Sequence, residues 1–202
     1  MNKQIKNLIF DMGNVLMKWA PEEFLDREGI TNSEDRELLL KLTFRSEGWM
    51  KLDRGDWDEE NLAAAVLPQL PVHLREKAHR LICHWDEPIL PVEGMADLVL
   101  KCKDAGYGIY LLSNASRHQH DYWERVPGHE LFDGLVVSAD ILKVKPDPAI
   151  YTYLLDTYHL KAEECLFIDD MPRNTNAAEP LGFNTYVFNG NTKELENYIF
   201  NK

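Results

Sequence analysis

Four short polar segments hold the residues with the clearest capacity for chemistry in this sequence. Three of them directly follow a short apolar run that is typical of a buried strand. The carboxyl ends of parallel strands open onto the crevice where ligands bind, and a carboxylate there serves as a nucleophile, a metal ligand or both. The four segments contain Asp11 with Gly13, Ser113 with Asn114, Lys145, and Asp169 with Asp170.

The acidic residues of this set suit a hard cation. Asp169 and Asp170 follow Leu166–Ile168 and, together with Asp11, make an oxygen-rich group. Mg²⁺ prefers such a group, because it is held by one or two carboxylates while it keeps waters and a substrate phosphate. The ordinary alternative is that these acids cap or solvate turns. Their order along the chain favours a metal site.

The other two segments add groups that bind anions. The hydroxyl and backbone N–H groups of Ser113 and Asn114 suit phosphate oxygens at a helix N-terminus. Lys145 can neutralise a nucleophile and a phosphate together as a point charge. Taken singly, an N-cap for Ser113 and a solvated surface charge for Lys145 are the alternatives.

An alternation of strands and helices positions these segments. Repeated strand–helix units predict an α/β fold with a doubly wound parallel sheet and right-handed crossovers. Because every strand then ends at the same edge, we expect the polar segments to converge there. The predicted strands are 8–10, 107–112, 135–137, 166–168 and 185–188, and the helices that separate them are 93–105, 148–158 and 174–181.

A helical segment interrupts this alternation directly after the first strand. Strand signals are absent from residues 18–88, an apolar stripe predicts a helix over 73–85, and Asp56–Glu59 has the spacing of a capping box. We therefore divide the chain into a core domain of residues 1–17 and 89–202 and a helical cap of residues 18–88.

Composition excludes several classes of partner. The 202 residues are 45% hydrophobic and 28% charged, as in ordinary globular proteins. The net charge is -12 and no run rich in Lys or Arg is present, which argues against a nucleic-acid surface or an anionic membrane surface. No stretch reaches the ~20 apolar residues of a membrane span. We expect a small-molecule partner; the oligomeric state stays open, and a monomer is compatible with the sequence.

The cysteines and the N-terminus predict a cytoplasmic protein. Cys83, Cys102 and Cys165 are odd in number, have no metal or redox spacing, and are typical of free thiols in a reducing compartment. Asp11 interrupts the first apolar run, so no signal peptide is predicted. His118, His120 and His129 are predicted to be surface residues.

The ordered set resembles the haloacid dehalogenase (HAD) superfamily over the whole chain. Asp11 matches its first motif, Ser113 its second, Lys145 its third and Asp169–Asp170 its fourth, and the helical insertion falls where many members carry a small cap. The resemblance implies a HAD-like Rossmannoid core in which Asp11 attacks phosphorus and forms an aspartyl-phosphate that water hydrolyses. It also implies Mg²⁺ bound by Asp11, Asp170 and the Gly13 carbonyl, with Asp169 nearby.

One position departs from the family pattern. Most phosphatases of the superfamily carry an Asp two positions after the nucleophile as general acid, and Gly13 stands there in this chain. General acid catalysis contributes ~10²–10⁴ in rate. The segments Asp11–Val15, Leu112–Arg117 and Lys145–Pro146 are similar to the bacterial α-D-glucose-1-phosphate phosphatase-like branch. An anomeric oxygen leaves more readily than an ordinary alkoxide, so a sugar 1-phosphate tolerates Gly13 better than an alkyl phosphate does.

These observations predict a Mg²⁺-dependent phosphatase for small phosphorylated metabolites, sugar phosphates above all. The alternatives are a phosphate-binding regulatory module whose catalysis is impaired at Gly13, and a 2-haloacid dehalogenase. Asp169–Asp170 argues against the dehalogenase, which uses no metal. The predicted catalytic residues are Asp11, Lys145 and Ser113; the substrate-binding residues are Ser113, Asn114 and Arg117; Trp49, Asp53 and Arg54, in a turn-like stretch of the cap, are further candidates for reading the substrate.

Overall fold

A computed structural model describes residues 5–200, which form a five-stranded parallel sheet with helices around it. The strand order is β3-β2-β1-β4-β5, so β2 and β3 lie on one side of β1, and β4 and β5 lie on the other side. The predicted doubly wound α/β fold is therefore confirmed. The strands are β1 (Asn7–Phe10), β2 (Gly108–Ser113), β3 (Gly134–Val137), β4 (Cys165–Asp169) and β5 (Asn184–Val187).

The strand order reverses between β1 and β4, which are paired in register. Phe10 lies beside Leu111 of β2 and beside Ile168 of β4. In open sheets of this kind the crevice for ligands lies outside the carboxyl ends of the strands, at the point where the order reverses. The residues that follow Phe10 and Ile168 therefore flank that crevice.

Helices fill both the insertion after β1 and the connections between later strands. The insertion contains α1 (Pro21–Arg27), α2 (Ser33–Leu42), α3 (Glu47–Asp53), α4 (Glu59–Val66) and α5 (Val72–Cys83). The later helices are α6 (Met95–Asp104), α7 (Gln119–Trp123), α8 (Ser138–Ile141), α9 (Pro148–Thr157), α10 (Pro172–Ala178) and α11 (Thr192–Phe200). No helix within residues 5–200 has the length and apolar character needed to cross a membrane.

The central strands are buried on both faces, as in most parallel sheets. Side chains such as Phe10 and Ile168 belong to one hydrophobic cluster, whereas Ile9 and Phe167 belong to the other. Helices of the insertion, with side chains such as Leu62, contribute to the first cluster. The insertion thus packs on the same core as one face of the sheet. We keep the proposal made from the sequence, that residues 18–88 form a cap.

The two ends of the insertion lie side by side. The backbone N–H of Lys18 donates to the Leu90 carbonyl over 2.7 Å, and that of Val92 donates to the Leu16 carbonyl over 3.0 Å. Met17 and Pro91 form an antiparallel bridge between these bonds. The insertion therefore leaves and rejoins the sheet domain at a single place.

Three local predictions are wrong. The capping box begins at Asp58, whose carboxylate accepts from the Asn61 N–H, whereas the Asp56 carboxylate accepts from Arg54. The turn-like stretch is mostly helix α3, capped by Ser46. His118 is not a surface histidine: its Nε2 lies 2.8 Å from the buried carboxylate of Asp86.

Candidate active site

The structure brings Asp11, Ser113, Lys145 and Asp169 to one edge of the sheet. Asp11 directly follows β1, Ser113 ends β2 and Asp169 ends β4. Lys145 lies in the loop between α8 and α9. The parallel arrangement explains the convergence, because each strand delivers its last residue to the same edge.

Two buried ion pairs, which share Lys145, join three of these residues. The Lys145 ammonium donates to Asp11 Oδ1 and to Asp169 Oδ2, each over 2.7 Å. Only 1% of the Lys145 side chain and none of the Asp169 side chain is exposed, so the charges meet away from solvent. Burial alone lowers the pKa of Lys145, but the two carboxylates outweigh it and raise the pKa above its ordinary value. Lys145 is therefore a fixed positive charge.

Asp11 is the member of this group that faces a cavity. Its side chain is 12% exposed and lines the cavity wall. Burial raises the pKa of Asp11, the attraction of Lys145 opposes the rise, and the nearby charge of Asp169 adds to it. A second cation beside Asp11 would favour its ionised, nucleophilic form.

Asp169 is held in place by both of its oxygens. Oδ1 accepts from the Met171 N–H over 2.8 Å, and the Asn174 amide lies 3.0 Å from each oxygen. Oδ2 also accepts from Lys145. Asn174 was not predicted from the sequence. It lies in the first turn of α10, and its position shortly after the end of β4 is the one signal of its role.

Asp170 is oriented by a residue of the first segment. The Asn14 amide donates to Asp170 Oδ2 over 3.0 Å, and its own oxygen accepts from the Trp19 N–H over 3.0 Å. Asn14 adopts φ 55, a left-handed backbone conformation that Asn tolerates better than most residues. Burial raises the pKa of Asp170, with the Asn14 hydrogen bond opposing the rise.

The donor set fits a hard divalent cation. Oxygen atoms of Asp11, Asp169 and Asp170 lie within 4.8 Å of one another, and carboxylate oxygens are the ligands that Mg²⁺ prefers. Because both oxygens of Asp169 are already engaged by Lys145, Met171 and Asn174, Asp11 and Asp170 are the members best able to serve as ligands.

Asn114 and Lys145 fix each other. The Asn114 amide donates to the Lys145 carbonyl over 2.9 Å, and the Lys145 N–H donates to Asn114 Oδ1 over 2.7 Å. The side chain of Asn114 thus holds the loop that carries Lys145. Ser113 is buried and, like Asn114 and Asp11, lines the cavity.

Arg117 is placed elsewhere. Its guanidinium donates to the Ala139 carbonyl over 2.8 Å and to the Gly55 carbonyl over 3.2 Å, and it is not among the residues that line the cavity. The prediction that Arg117 contacts the substrate is therefore not supported by this geometry. Its bonds tie the end of the α3 segment to the sheet domain.

The cavity has a volume of about 350 Å³, and residues of the insertion form part of its wall. Trp19, Trp49 and Trp85 form an aromatic wall, with ring centroids 5.3 Å apart for Trp19 and Trp49 and 4.7 Å apart for Trp19 and Trp85. Asp53, at the end of α3, is part of the same wall. Burial raises the pKa of Asp53 to about 7, with the Lys145 charge opposing the rise.

Comparison with known proteins gives a family match over most of the chain. A family model described as haloacid dehalogenase-like hydrolase matches residues 5–182. A sesquiterpene phosphatase of Aspergillus oryzae is 27% identical over 88% of this chain and 86% of its own length. A D-ribitol-5-phosphate phosphatase of Bacteroides thetaiotaomicron is 24% identical over 90% of this chain and 91% of its own length.

A solved structure has the same fold. It is a HAD family enzyme from Bacteroides thetaiotaomicron in complex with magnesium and inorganic phosphate. The TM-score is 0.75 at 21% identity, and the match covers 95% of this chain and 98% of that one. The sheet and the inserted helices are therefore an arrangement already observed in solved proteins.

Proposed function

Because the chain belongs to the haloacid dehalogenase-like hydrolase family, we propose that it is a Mg²⁺-dependent phosphatase for small phosphate esters, with sugar phosphates as its main class. The observation that carries the proposal is the buried Lys145 held between Asp11 and Asp169 at the wall of a cavity. The names of the two phosphatase relatives and the magnesium–phosphate complex of the solved structure support it.

In this proposal Asp11 is the nucleophile. Its carboxylate attacks phosphorus, the bond from phosphorus to the ester oxygen breaks, and water then releases phosphate from the aspartyl-phosphate. Lys145 holds the Asp11 carboxylate in place and offsets charge as phosphate approaches. The Ser113 hydroxyl and nearby backbone N–H groups bind phosphate oxygens. Mg²⁺, held by Asp11, Asp170 and the Gly13 carbonyl, would supply further charge stabilisation between two anions.

The departing oxygen needs a proton that Gly13 does not provide. Among residues 5–200, the carboxyl groups that line the cavity belong to Asp11, Asp53 and Asp170. Asp11 and Asp170 are committed to attack and metal binding, so Asp53 is our proposed proton donor. Its raised pKa, about 7, means that a substantial fraction is protonated at neutral pH.

The cavity wall supports a sugar phosphate as substrate. A space of about 350 Å³ lies at the lower end of the usual range for small-molecule sites. The indole rings of Trp19, Trp49 and Trp85 give it an apolar wall, and Asp53 adds a polar group that can bind a hydroxyl. A sugar presents both apolar ring faces and hydroxyl groups to such a wall.

Phosphate release from a panel of sugar, alkyl and aryl phosphates tests the proposal. Each substrate is assayed with Mg²⁺ and with a chelator, on the unmodified protein and on Asp11→Asn. We expect turnover that needs Mg²⁺ and falls by at least ~10³-fold in Asp11→Asn, since the nucleophile is lost.

Asp56→Asn is the matched control, because Asp56 is exposed and its carboxylate is paired with Arg54 outside the cavity. Turnover that survives both the chelator and Asp11→Asn would contradict the proposal. Phosphate binding without turnover of any substrate would instead favour the regulatory module, for which Gly13 is the supporting observation.

A further inference from the structure

A second group of possible metal ligands lies on the helical insertion, apart from the cavity. Glu60 belongs to α4, and His79 and Cys83 lie one turn apart on α5. One ligand atom from each lies within 4.8 Å of the others. The separation of His79 and Cys83 by four residues puts both on one helix face, where they meet the Glu60 side chain of the neighbouring helix.

The distances in this group are close to those of a zinc site. His79 Nε2 lies 3.8 Å from Cys83 Sγ and 3.9 Å from Glu60 Oε1. Tetrahedral Zn²⁺ with ordinary bond lengths separates a nitrogen ligand from a sulfur ligand by ~3.5 Å. A shift of a few tenths of an ångström in flexible side chains therefore closes the site. Glu60 is 80% exposed and free to make this adjustment.

The ligand types select the metal. A thiolate, an imidazole and one carboxylate form a borderline-soft set that suits Zn²⁺ and does not suit Mg²⁺. The cavity group, in contrast, offers oxygen atoms alone. The two places on this chain therefore have opposite metal preferences, which makes them separable in experiments.

Local charge also attracts a cation to this face. Burial, together with the carboxylates of Glu60, Glu59 and Asp58, raises the pKa of Cys83 to about 11. The thiol is protonated and inert when no metal is bound. A divalent cation would relieve the crowding of negative charge, and the thiol proton would pass to solvent as the sulfur binds.

We propose that Glu60, His79 and Cys83 bind one zinc ion, with water as the fourth ligand. The ion links α4 to α5 and stabilises the insertion. The site does not depend on the proposed phosphatase activity, because none of its residues lines the cavity.

Cobalt(II) is the probe, since it replaces zinc in tetrahedral sites and its thiolate bond absorbs in the near ultraviolet. On titration of the full-length chain we expect a thiolate-to-cobalt band that saturates at one equivalent, persists in excess Mg²⁺ and disappears when Zn²⁺ is added. The oxygen ligands of the cavity produce no such band, so cobalt bound there does not mimic it.

Cys83→Ser is expected to abolish the band, and His79→Gln to weaken Zn²⁺ binding at least ~10-fold by calorimetry. His84→Gln is the matched control: its ring lies next to that of His79, at 6.4 Å, but its Nδ1 faces Glu87. Circular dichroism confirms that each variant is folded. Absence of a band, a band that survives Cys83→Ser, or equal losses in His79→Gln and His84→Gln would overturn the proposal.

Discussion

At the scale of single residues, the cavity combines one fixed cation with carboxylates that have different environments. Lys145 is fully enclosed between Asp11 and Asp169, and Asp169 has no exposed surface. Asp53 lines the same cavity without a comparable ion pair in residues 5–200. Burial raises the pKa of both Asp11 and Asp53 to about 7. A cation bound beside Asp11 would lower the pKa of that carboxyl and leave Asp53 as the group that can carry a proton.

Gly13 can be replaced by the residue that the family pattern has there. A Cβ at this position would lie 3.6 Å from the Trp19 Cβ, an ordinary contact, and the Gly13 backbone is not left-handed. We expect Gly13→Asp to fold and to speed alkyl phosphate hydrolysis by at least ~10-fold, with less effect on an aryl phosphate. Gly13→Ala is the control; the lack of any gain on alkyl phosphates would contradict the leaving-group argument.

Asp53→Asn tests the proposed proton donor. An alkoxide needs a proton as it departs whereas an activated aryl oxide does not, so we expect turnover of sugar and alkyl phosphates to fall ~10²-fold and that of an aryl phosphate to change little. Comparing kcat for the two classes measures the split, with Asp56→Asn as control. Equal losses on both classes would assign Asp53 to binding or folding instead.

The sequence predicts the reactive residues better than the residues that hold them in position. Asp11, Ser113, Lys145 and Asp169 follow a recognisable order, and the structure places them together. Asn14 and Asn174 carry no such signal, because their roles depend on distances across the fold. Arg117 follows the second segment, but its guanidinium donates to the carbonyls of Gly55, just beyond α3, and of Ala139 in α8.

At the scale of elements, the end of α3 is fastened to α8. The Ser138 hydroxyl donates to the Asp53 carbonyl over 2.5 Å, and Arg117 bridges the Gly55 and Ala139 carbonyls. These contacts set the position from which Asp53 reaches the cavity. Sequence patterns did not predict α3, since its seven residues are too few to display a clear helical stripe.

Gly55 makes this attachment possible. It has φ +76, and a Cβ there would overlap the Ala139 carbonyl oxygen. We expect Gly55→Ala to lower the free energy of unfolding by about 2–4 kcal/mol, measured by urea denaturation. Gly106→Ala is the matched control, because Gly106 has φ +88 with nothing within 4 Å of its Cβ position. Equal losses in the two variants would mean that the close approach to Ala139 has no energetic effect.

At the scale of the whole molecule, the insertion and the sheet domain share one hydrophobic cluster and a buried polar link. Asp86, just beyond α5, is 1% exposed and accepts from His118 and Arg125 of the sheet domain. Burial opposes protonation of His118, but Asp86 outweighs it and raises the His118 pKa above 6.5. The sequence does not predict this link, because its members lie far apart along the chain.

The link makes stability depend on pH. Because the folded His118 pKa is raised, its contribution is complete below about pH 6.5 and is lost as pH rises through the folded value. We expect His118→Gln to lower the free energy of unfolding by about 1–2 kcal/mol at pH 6 and by less at pH 9. His120→Gln, at a half-exposed histidine paired with Asp140, is the control. A loss that is the same at both pH values would contradict the role of the charged imidazole.

The adjacent ends of the insertion also bear on how such a protein diversifies. Lys18 and Leu90 are hydrogen-bonded neighbours, so the two ends of the insertion are as close together in space as the two ends of a short turn. Insertions of other lengths can occupy the same place without altering the pairing of β1 with β2 and β4. The stretch that supplies the three tryptophans and Asp53 to the cavity is thereby separate along the chain from the strands that carry Asp11, Ser113 and Asp169. One stretch can drift through evolution or be exchanged by recombination while the other is preserved.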